Sequence, residues 1–275
     1  MAVSQELMQE SVDRERRGLQ KQKFGYFLLS LVSIAAVLAV WECAVRFGWV
    51  RTKYVAAPSE VIKVIIRKFS SKSPDGATLP VHILSSLKIS FLGFGYAVLI
   101  GTPLGLAMGW YKPVDKFVRP VFNLIRPIPA VSWIPLMIVL LGIGLTPKVF
   151  IVFLSAFVAT VLNSYAGIKM TNQAMINVAK TCGAKNWVIF MRVGVPSAMP
   201  MVFTGWKVGL GLSWSTLVAA EMLASNSGLG YMILTGRQFL RIDIIMAGMV
   251  VIGVIGLILF AILSRIENMV LRWRK

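Results

Sequence analysis

Six long apolar stretches constrain this sequence more than any other feature. Each approaches or exceeds the roughly 20 residues that an α-helix needs to cross the hydrocarbon core of a bilayer. Because lipid offers the backbone no hydrogen-bond partners, such stretches form helices or irregular segments that protein shelters. The predicted spans lie at about 26–45, 86–108, 119–143, 148–167, 200–222 and 243–264. The sequence therefore predicts an all-α, polytopic membrane protein with six transmembrane helices.

The composition of the 275-residue chain agrees with a membrane location. Hydrophobic residues make up 57% of the chain and charged residues 15%, and the mean hydropathy is +0.74, which excludes an ordinary soluble globular protein. The net charge of +18 suits anionic lipid or an anionic substrate, and in so apolar a chain it does not indicate nucleic-acid binding. Cys43 and Cys182 are expected to be packing residues without a disulfide.

Basic residues near the chain ends and in alternate loops predict the orientation. Lys and Arg are retained in cytoplasmic segments, so both termini are expected in the cytoplasm. Residues 1–25 then form a cytoplasmic segment and 26–275 a transmembrane domain with an external loop at about 46–85. In that loop, Pro58-Ser59-Glu60 opens an apolar-periodic segment that predicts a capped helix at the membrane interface. Two roles of this helix stay open: covering the bundle or docking a partner.

The loop between the fourth and fifth predicted spans, at about 168–199, is longer than a connection between neighbouring helices requires. Asn172 is placed to cap a first short helix, and Gly183 is placed to end it in a left-handed conformation. A second helix is predicted from near Ala184 to a break at Pro196. The pattern predicts a projecting helix-turn-helix that binds a partner.

This loop resembles the Glu-Ala-Ala loop of permease subunits of binding-protein-dependent ABC importers. The resemblance covers residues 177–184 and 192–196 and Pro200, although Asn177 stands where the family has glutamate. In that family the loop forms coupling helices that dock onto a separate ATPase subunit. The resemblance assigns this role to Asn177, Val178, Ala179, Lys180, Thr181, Gly183 and Ala184.

Further segments resemble permeases for taurine, alkanesulfonates, nitrate and bicarbonate, and the run 214–221 is most similar to the taurine and sulfonate branch. The resemblance implies a type I ABC importer permease (MetI-like) fold, alternating access, and a homodimer in the inner membrane. It also implies two ATPase subunits, which hold ATP and Mg, and an extracytoplasmic substrate-binding protein. The resembling segments lie at 57–61, 126–130, 133–136, 142–144 and 211–221.

The sequence carries little that would support chemistry of its own. It contains no phosphate-binding loop, no Asp or Glu between Asp115 and Glu221, and a single histidine, His82. We expect no catalytic residue, no metal site and no cofactor in this chain, and ATP hydrolysis in a partner. The scarcity of carboxylates within the spans disfavours two rivals, a partner-independent secondary transporter or channel and a membrane-bound enzyme.

Arg126 lies about seven residues inside the third apolar stretch, and four prolines prevent that stretch from forming one straight helix. Broken backbone is tolerated in a membrane where protein or a water-filled cavity satisfies it, so the third span is expected to border a cavity. Two roles of Arg126 stay open: attracting a small anion, or snorkelling to the cytoplasmic interface. The prolines are Pro120, Pro127, Pro129 and Pro135.

Small residues at four-residue spacing predict close helix packing in the second span, and in the fifth span they lie next to hydroxyl side chains that suit a pathway. Tryptophans 133 and 214 either face substrate or pack. Glu221 either pairs with Arg237 or Arg241 or belongs to a gate. The two stripes are Gly101, Gly105 and Gly109, and Gly205, Gly209 and Ser213. The candidate pathway residues are Arg126, Trp133, Ser213, Trp214, Ser215, Thr216 and Glu221.

Overall fold

The computed structural model describes residues 25–26, 28–29, 31–49 and 54–272, and the chain divides into two compact units, 1–63 and 64–275. In the first unit, residues 31–46 are helical (α1), and α2, Pro58–Lys68, begins there at the predicted proline and ends in the second unit. The Glu42 carboxylate accepts hydrogen bonds from the Ser59 backbone N–H (3.0 Å) and hydroxyl (2.8 Å), which ties α1 to the start of α2. Almost all of the predicted segment 1–25 lies outside the described residues.

The second unit is helical, with no strand among its described residues. It contains α3 Leu79–Trp110, α4 Lys112–Ile125, a 3-10 turn Ala130–Trp133, α5 Ile134–Leu141, α6 Leu145–Lys169, α7 Gln173–Thr181, α8 Asn186–Ile189, a π-helical segment Phe190–Gly194, α9 Val195–Ala224, α10 Leu229–Gln238 and α11 Ile242–Val270. The sequence analysis had no helix at α10.

Four helical segments of the described chain are long and apolar enough to cross a membrane: Leu79–Trp110, Leu145–Lys169, Asn186–Leu223 and Ile242–Val270. A fifth span arises if the bent pair Lys112–Ile125 and Ala130–Leu141 crosses as one unit. These segments match the second to sixth predicted spans. Since the first predicted span lies only partly within the described residues, the count of six stays a prediction.

The third span is broken, and two of its four prolines lie in the break. Its two halves meet at an angle of 80°, and the break at residues 126–129 contains Arg126, Pro127 and Pro129. A proline lacks the backbone N–H and its ring clashes with the preceding turn, so the helix ends at Ile125 and resumes as a 3-10 turn at Ala130. The prediction that this span is not one straight helix is confirmed.

Close packing of α6 between α3 and α9 forms the centre of the second unit, and small residues permit it. A Cβ at Gly105 of α3 would collide with the Val161 carbonyl of α6. A Cβ at Gly205 of α9 would lie 2.5 Å from the Asn163 Cβ. The predicted packing of the second-span stripe is confirmed. The fifth-span glycines Gly205 and Gly209 also face α6, so they pack the two helices together and do not line a pathway.

The predicted helix break at Pro196 is wrong. The helix that begins at Asn186 continues through the π-helical segment Phe190–Gly194 into α9, and the pieces form one segment to Leu223. The Val195 N–H bonds to the Phe190 carbonyl five residues back, the bond of a π-turn. This wider turn accommodates the proline at the start of α9, so the second loop helix is a rigid extension of the fifth span.

Candidate transport pathway and coupling loop

A cavity of about 450 Å³ lies between the broken third span, α6 and α9. We call it the central cavity, and its volume is in the usual range for small-molecule sites. The α9 wall consists of positions 208, 212 and 216, one helical face at four-residue spacing. Its polar lining side chains are Arg126, Ser155, Asn163 and Thr216.

The hydroxyl groups in the central cavity are already oriented by the helices that carry them. Thr216 Oγ1 donates to the Leu212 carbonyl at 2.8 Å, and since a hydroxyl has a single proton, Ser155 Oγ donates to Thr216 Oγ1 at 3.0 Å. Asn163 Nδ2 donates to the Ala159 carbonyl at 2.9 Å. Ser155 and Asn163 were not among the predicted pathway residues, although polar residues eight apart on one face of an apolar span are a usable signal.

Arg126 lies at the break in the third span, exposed within the isolated chain. Its guanidinium forms no hydrogen bond or ion pair with a residue that the structure describes, and the sequence has no Asp or Glu from 116 to 220. Arg119, seven residues earlier, is instead neutralised by Asp115. The central cavity therefore has a positive charge on its wall that no described residue compensates.

The other candidate pathway residues lie away from the central cavity. Trp133 packs against the apolar cluster around Ile134 and Ile151. Trp214 is buried and its indole N–H donates to the Ile252 carbonyl of α11 at 3.1 Å. Ser213 and Ser215 donate to carbonyls of their own helix. The structure thus brings together Arg126 and Thr216 of the predicted set, and contact of any of these residues with substrate stays a prediction.

Glu221 belongs to a buried polar network at the end of the bundle opposite α7. It is fully buried, its carboxylate accepts hydrogen bonds from Ser86 Oγ (2.7 Å) and the Gly230 N–H (2.8 Å), and Ser86 Oγ accepts from the Leu229 N–H (2.9 Å). The expected pairing with Arg237 or Arg241 is wrong. The turn 225–228, with Gly228 at a φ of 125°, folds the start of α10 over Glu221, so backbone groups supply the partners instead.

The same network extends to α2 through His82, which has no exposed surface. His82 Nδ1 accepts from the Gly228 N–H at 3.0 Å, and Nε2 lies 3.1 Å from Asp75 Oδ2, outside hydrogen-bond geometry. Lys68 contacts the other oxygen of Asp75 and donates to the Ala77 carbonyl at 2.9 Å. Burial raises the pKa of Asp75, but His82 and Lys68 outweigh that effect and hold this pKa below its usual range.

The loop between α6 and α9 begins with the two cap structures that the sequence predicts. Asn172 Oδ1 accepts from the Ala174 N–H at 2.8 Å, which caps α7. Gly183 has a φ of 77°, and the Ala184 N–H reaches the Ala179 carbonyl at 3.1 Å, a Schellman end of the helix. The first predicted loop helix and both of its boundaries are confirmed.

The surface of this loop is apolar for an exposed segment. Met175, Val178 and Trp187 expose 52%, 64% and 58% of their surface. Cys182, expected to pack, is exposed at the end of α7. We call α7 and α8 with their connection, residues 173–189, the coupling loop; its seven predicted coupling residues are exposed or half-buried. Exposed apolar side chains clustered on a projecting loop are typical of a protein–protein contact.

The base of the coupling loop is anchored to the helix bundle through aromatic side chains. The Trp110 ring lies 5.6 Å from that of Phe190, and its indole N–H donates to Asn186 Oδ1 at 3.2 Å. Phe190 is buried in a cluster with Leu106 of α3 and Ile168 of α6. The coupling loop is thus packed against the ends of α3, α6 and α9.

Comparison with known proteins gives the family. Residues 101–274 match the model described as binding-protein-dependent transport system inner membrane component, which is more than half of the chain. This chain belongs to that family. The taurine transport system permease protein of Escherichia coli (strain K12) is 33% identical over 245 residues, 89% of each chain. The nitrate import permease protein of Synechocystis sp. is 29% identical over 241 residues, 87% of each chain.

The solved structures give the fold of this family member. A chain of the MetNI methionine ABC transporter, solved in inward-facing conformations, matches this chain with a TM-score of 0.56 and 19% sequence identity. The match covers 68% of this chain and 93% of that chain. The likeness shows the type I importer permease fold. The chain is therefore a multi-pass membrane protein of the permease family, as its sequence predicts.

Proposed function

We propose that this chain is the permease subunit of an ATP-driven ABC importer. It works as a homodimer in the inner membrane, with two ATPase subunits that bind ATP and Mg and a substrate-binding protein on the extracytoplasmic side. The observation that carries the proposal is the coupling loop, an exposed apolar surface on a rigid extension of α9, with its base anchored by Trp110 and Phe190. Such a surface supports docking of a separate protein that delivers force.

The orientation follows from the same surface. The coupling loop faces the cytoplasm, where an ATPase has access to ATP, and both termini lie on that side. The buried polar network then lies at the extracytoplasmic end, beside the α9–α10 turn. The basic residues around α4 and the coupling loop agree with retention of Lys and Arg in the cytoplasm.

Transport proceeds by alternating access. Closure of the ATPase pair moves the coupling loop, and the continuous helix from Asn186 carries that movement into α9. Positions 208, 212 and 216 of α9 form one wall of the central cavity, so tilting α9 against α6 changes the opening of the cavity. The residues of the coupling loop transmit force and perform no chemistry.

The cargo is a small anion, with taurine or an alkanesulfonate favoured and nitrate or bicarbonate next. Arg126 supports this class because its uncompensated charge lies on the wall of the central cavity. Hydroxyl and amide groups of Ser155, Thr216 and Asn163 add hydrogen-bonding capacity for oxyanions. The taurine permease relative supports the order of preference.

The test is ATPase activity of the chain assembled in lipid nanodiscs with the ATPase and binding protein encoded beside it. Taurine, an alkanesulfonate, nitrate and bicarbonate are each offered with the binding protein, and one of them is expected to stimulate hydrolysis. Gly183→Pro is expected to abolish stimulation because proline cannot adopt the φ of 77°. Gly183→Asn is the matched control, since asparagine tolerates the left-handed conformation.

If no ATPase assembles with the chain, and proteoliposomes with this chain alone move the solute, the protein is a partner-independent transporter or channel. If substrate still stimulates ATP hydrolysis in Gly183→Pro, the importer function stands and the proposed role of the coupling loop fails.

A further inference from the structure

A second cavity, of about 280 Å³, lies between α4, α6 and the end of α3, on the coupling-loop side of the central cavity. We call it the inner cavity. The two cavities share Arg126 and Leu162, so the Arg126 side chain stands on the boundary between them. The polar side chains that line the inner cavity are Arg119, Asn123, Arg126 and Tyr165.

The inner cavity carries fixed positive charge. Arg119 is held by Asp115 through two hydrogen bonds, 3.0 Å from Nε and 2.5 Å from Nη2, and it also contacts the Tyr165 hydroxyl. The Tyr165 ring lies within 5.2 Å of the Arg119 guanidinium and 5.7 Å of the Lys169 ammonium. Asp115 balances one of these cations, so the region keeps a net positive charge even with that pair formed.

Asn123 completes the donor set. It lies between Arg119 and Arg126 along α4, and its side chain has no hydrogen bond among the described residues. An oriented guanidinium, a second guanidinium without an anionic partner and an amide N–H around one small cavity are the donors that a sulfonate or similar oxyanion accepts from. No carboxylate of the described residues lines the inner cavity itself.

We infer that the inner cavity is a second binding site for the transported anion, occupied after the central cavity on the way to the cytoplasm. This inference rests on the proposed importer function. The shared Arg126 allows the anion to pass from one site to the next without losing its guanidinium partner. Two moderate sites in series also favour release, because one strongly binding site would retain the anion. The phosphate of an anionic lipid has related chemistry, and the experiment separates the two sources.

The experiment measures protection of the arginines from phenylglyoxal, which modifies free guanidinium groups. The full chain is placed in phosphatidylcholine nanodiscs, methanesulfonate is the probe, and modification of each arginine is read by peptide mass spectrometry. Methanesulfonate is expected to protect both Arg119 and Arg126. Asn123→Leu is expected to raise the concentration for half protection of Arg119 about tenfold, because a hydrogen bond to a charged group is lost. The matched change Asn163→Leu, in the central cavity, is expected to weaken protection of Arg126 alone.

Three results overturn the inference. The first is that methanesulfonate protects Arg126 but not Arg119. The second is that it protects Arg119 equally well in Asn123→Leu and in the wild type. Either result leaves the central cavity as the single anion site. Protection of Arg119 by phosphatidylglycerol nanodiscs without methanesulfonate assigns the inner cavity to a lipid headgroup. If Asn123→Leu does not fold, Asn123→Asp replaces it and is expected to abolish protection by charge repulsion. Since no ATPase is present, failure of the importer proposal and failure of the inner site are distinguishable.

Discussion

At the scale of single residues, the buried polar network contains groups that lose a hydrogen-bond partner when one side chain is shortened. Ser86 holds two bonds at once, because its hydroxyl donates to Glu221 and accepts from the Leu229 N–H. Ser86→Ala leaves a buried carboxylate oxygen and a backbone N–H with a lost partner, which costs about 1–3 kcal/mol. We expect a thermal midpoint several degrees lower, measured on the purified protein in detergent by tryptophan fluorescence.

Ser85 provides the matched control for that change. It is half-buried, and among the described residues its hydroxyl forms one hydrogen bond, with the Ser227 hydroxyl at 3.1 Å. Ser85→Ala is therefore expected to lower the midpoint by much less than Ser86→Ala. Equal effects of the two substitutions would show that the network does not concentrate stability at Ser86.

The ionised Asp75 carboxylate gives the network a pH dependence. Because the pKa of Asp75 is lower in the folded chain than in the unfolded chain, its contribution to stability is present above about pH 4. The contribution is lost as the pH falls through the lower folded pKa. The thermal midpoint of the wild type is therefore expected to exceed that of Asp75→Asn most strongly near neutral pH, and the difference to shrink towards about pH 3.

The exposed carboxylate Glu60 serves as the comparison for Asp75. Glu60 forms no ion pair with a described residue, so Glu60→Gln is expected to leave the midpoint unchanged across the same pH range. A constant difference between wild type and Asp75→Asn at every pH would contradict the assigned role of the Asp75 charge.

At the scale of the helices, glycine positions on α3 decide how closely α6 approaches. A methyl group at Gly105 would collide with the Val161 carbonyl, whereas nothing lies within 4 Å of the same position at Gly95. Gly105→Ala is expected to destabilise the protein by about 1–3 kcal/mol through overpacking. Gly95→Ala is expected to be neutral or slightly stabilising, since alanine favours the helix. Thermal midpoints of the two variants check this, and a stable Gly105→Ala protein would refute it.

The sequence predicted helix positions well and helix continuity less well. Apolar length placed the spans, and the four prolines predicted that the third span is not one straight helix, because both signals are local. At Pro196 the same reasoning predicted a helix break that the structure does not have. A π-turn can absorb a proline within a continuous helix, and whether it does depends on packing around Phe190 that the local sequence does not show.

In the candidate site, too, features with a local sequence signal were predictable and features that depend on the fold were not. Arg126 was recognisable because a cation within an apolar span is costly. The partners of Glu221 were not, because they are the Ser86 hydroxyl of another helix and the Gly230 N–H, which reaches Glu221 only through the fold of the 225–230 turn. The positive φ of Gly228 that shapes this turn gives no signal in a sequence with 23 glycines.

At the scale of the whole molecule, the cysteines offer a direct test of how the chain assembles. Both native cysteines of the described chain, Cys43 and Cys182, are exposed, and Cys182 ends α7 within the coupling loop. If an ATPase docks on the coupling loop, it covers Cys182 and leaves Cys43, in α1, as before. The accessible thiolate is the reactive form, so labelling by a membrane-permeant maleimide reports exposure.

We expect the ATPase subunit to slow maleimide labelling of Cys182 strongly and to leave the rate at Cys43 unchanged, as followed by peptide mass spectrometry. The two cysteines serve as site and control within one chain, so differences in folding or reagent cancel. Val178→Asp places a charge on the apolar surface of the coupling loop, where Val178 is 64% exposed, without disturbing the core. This variant is expected to restore the unprotected rate at Cys182. Protection that persists in Val178→Asp would move the ATPase contact away from α7.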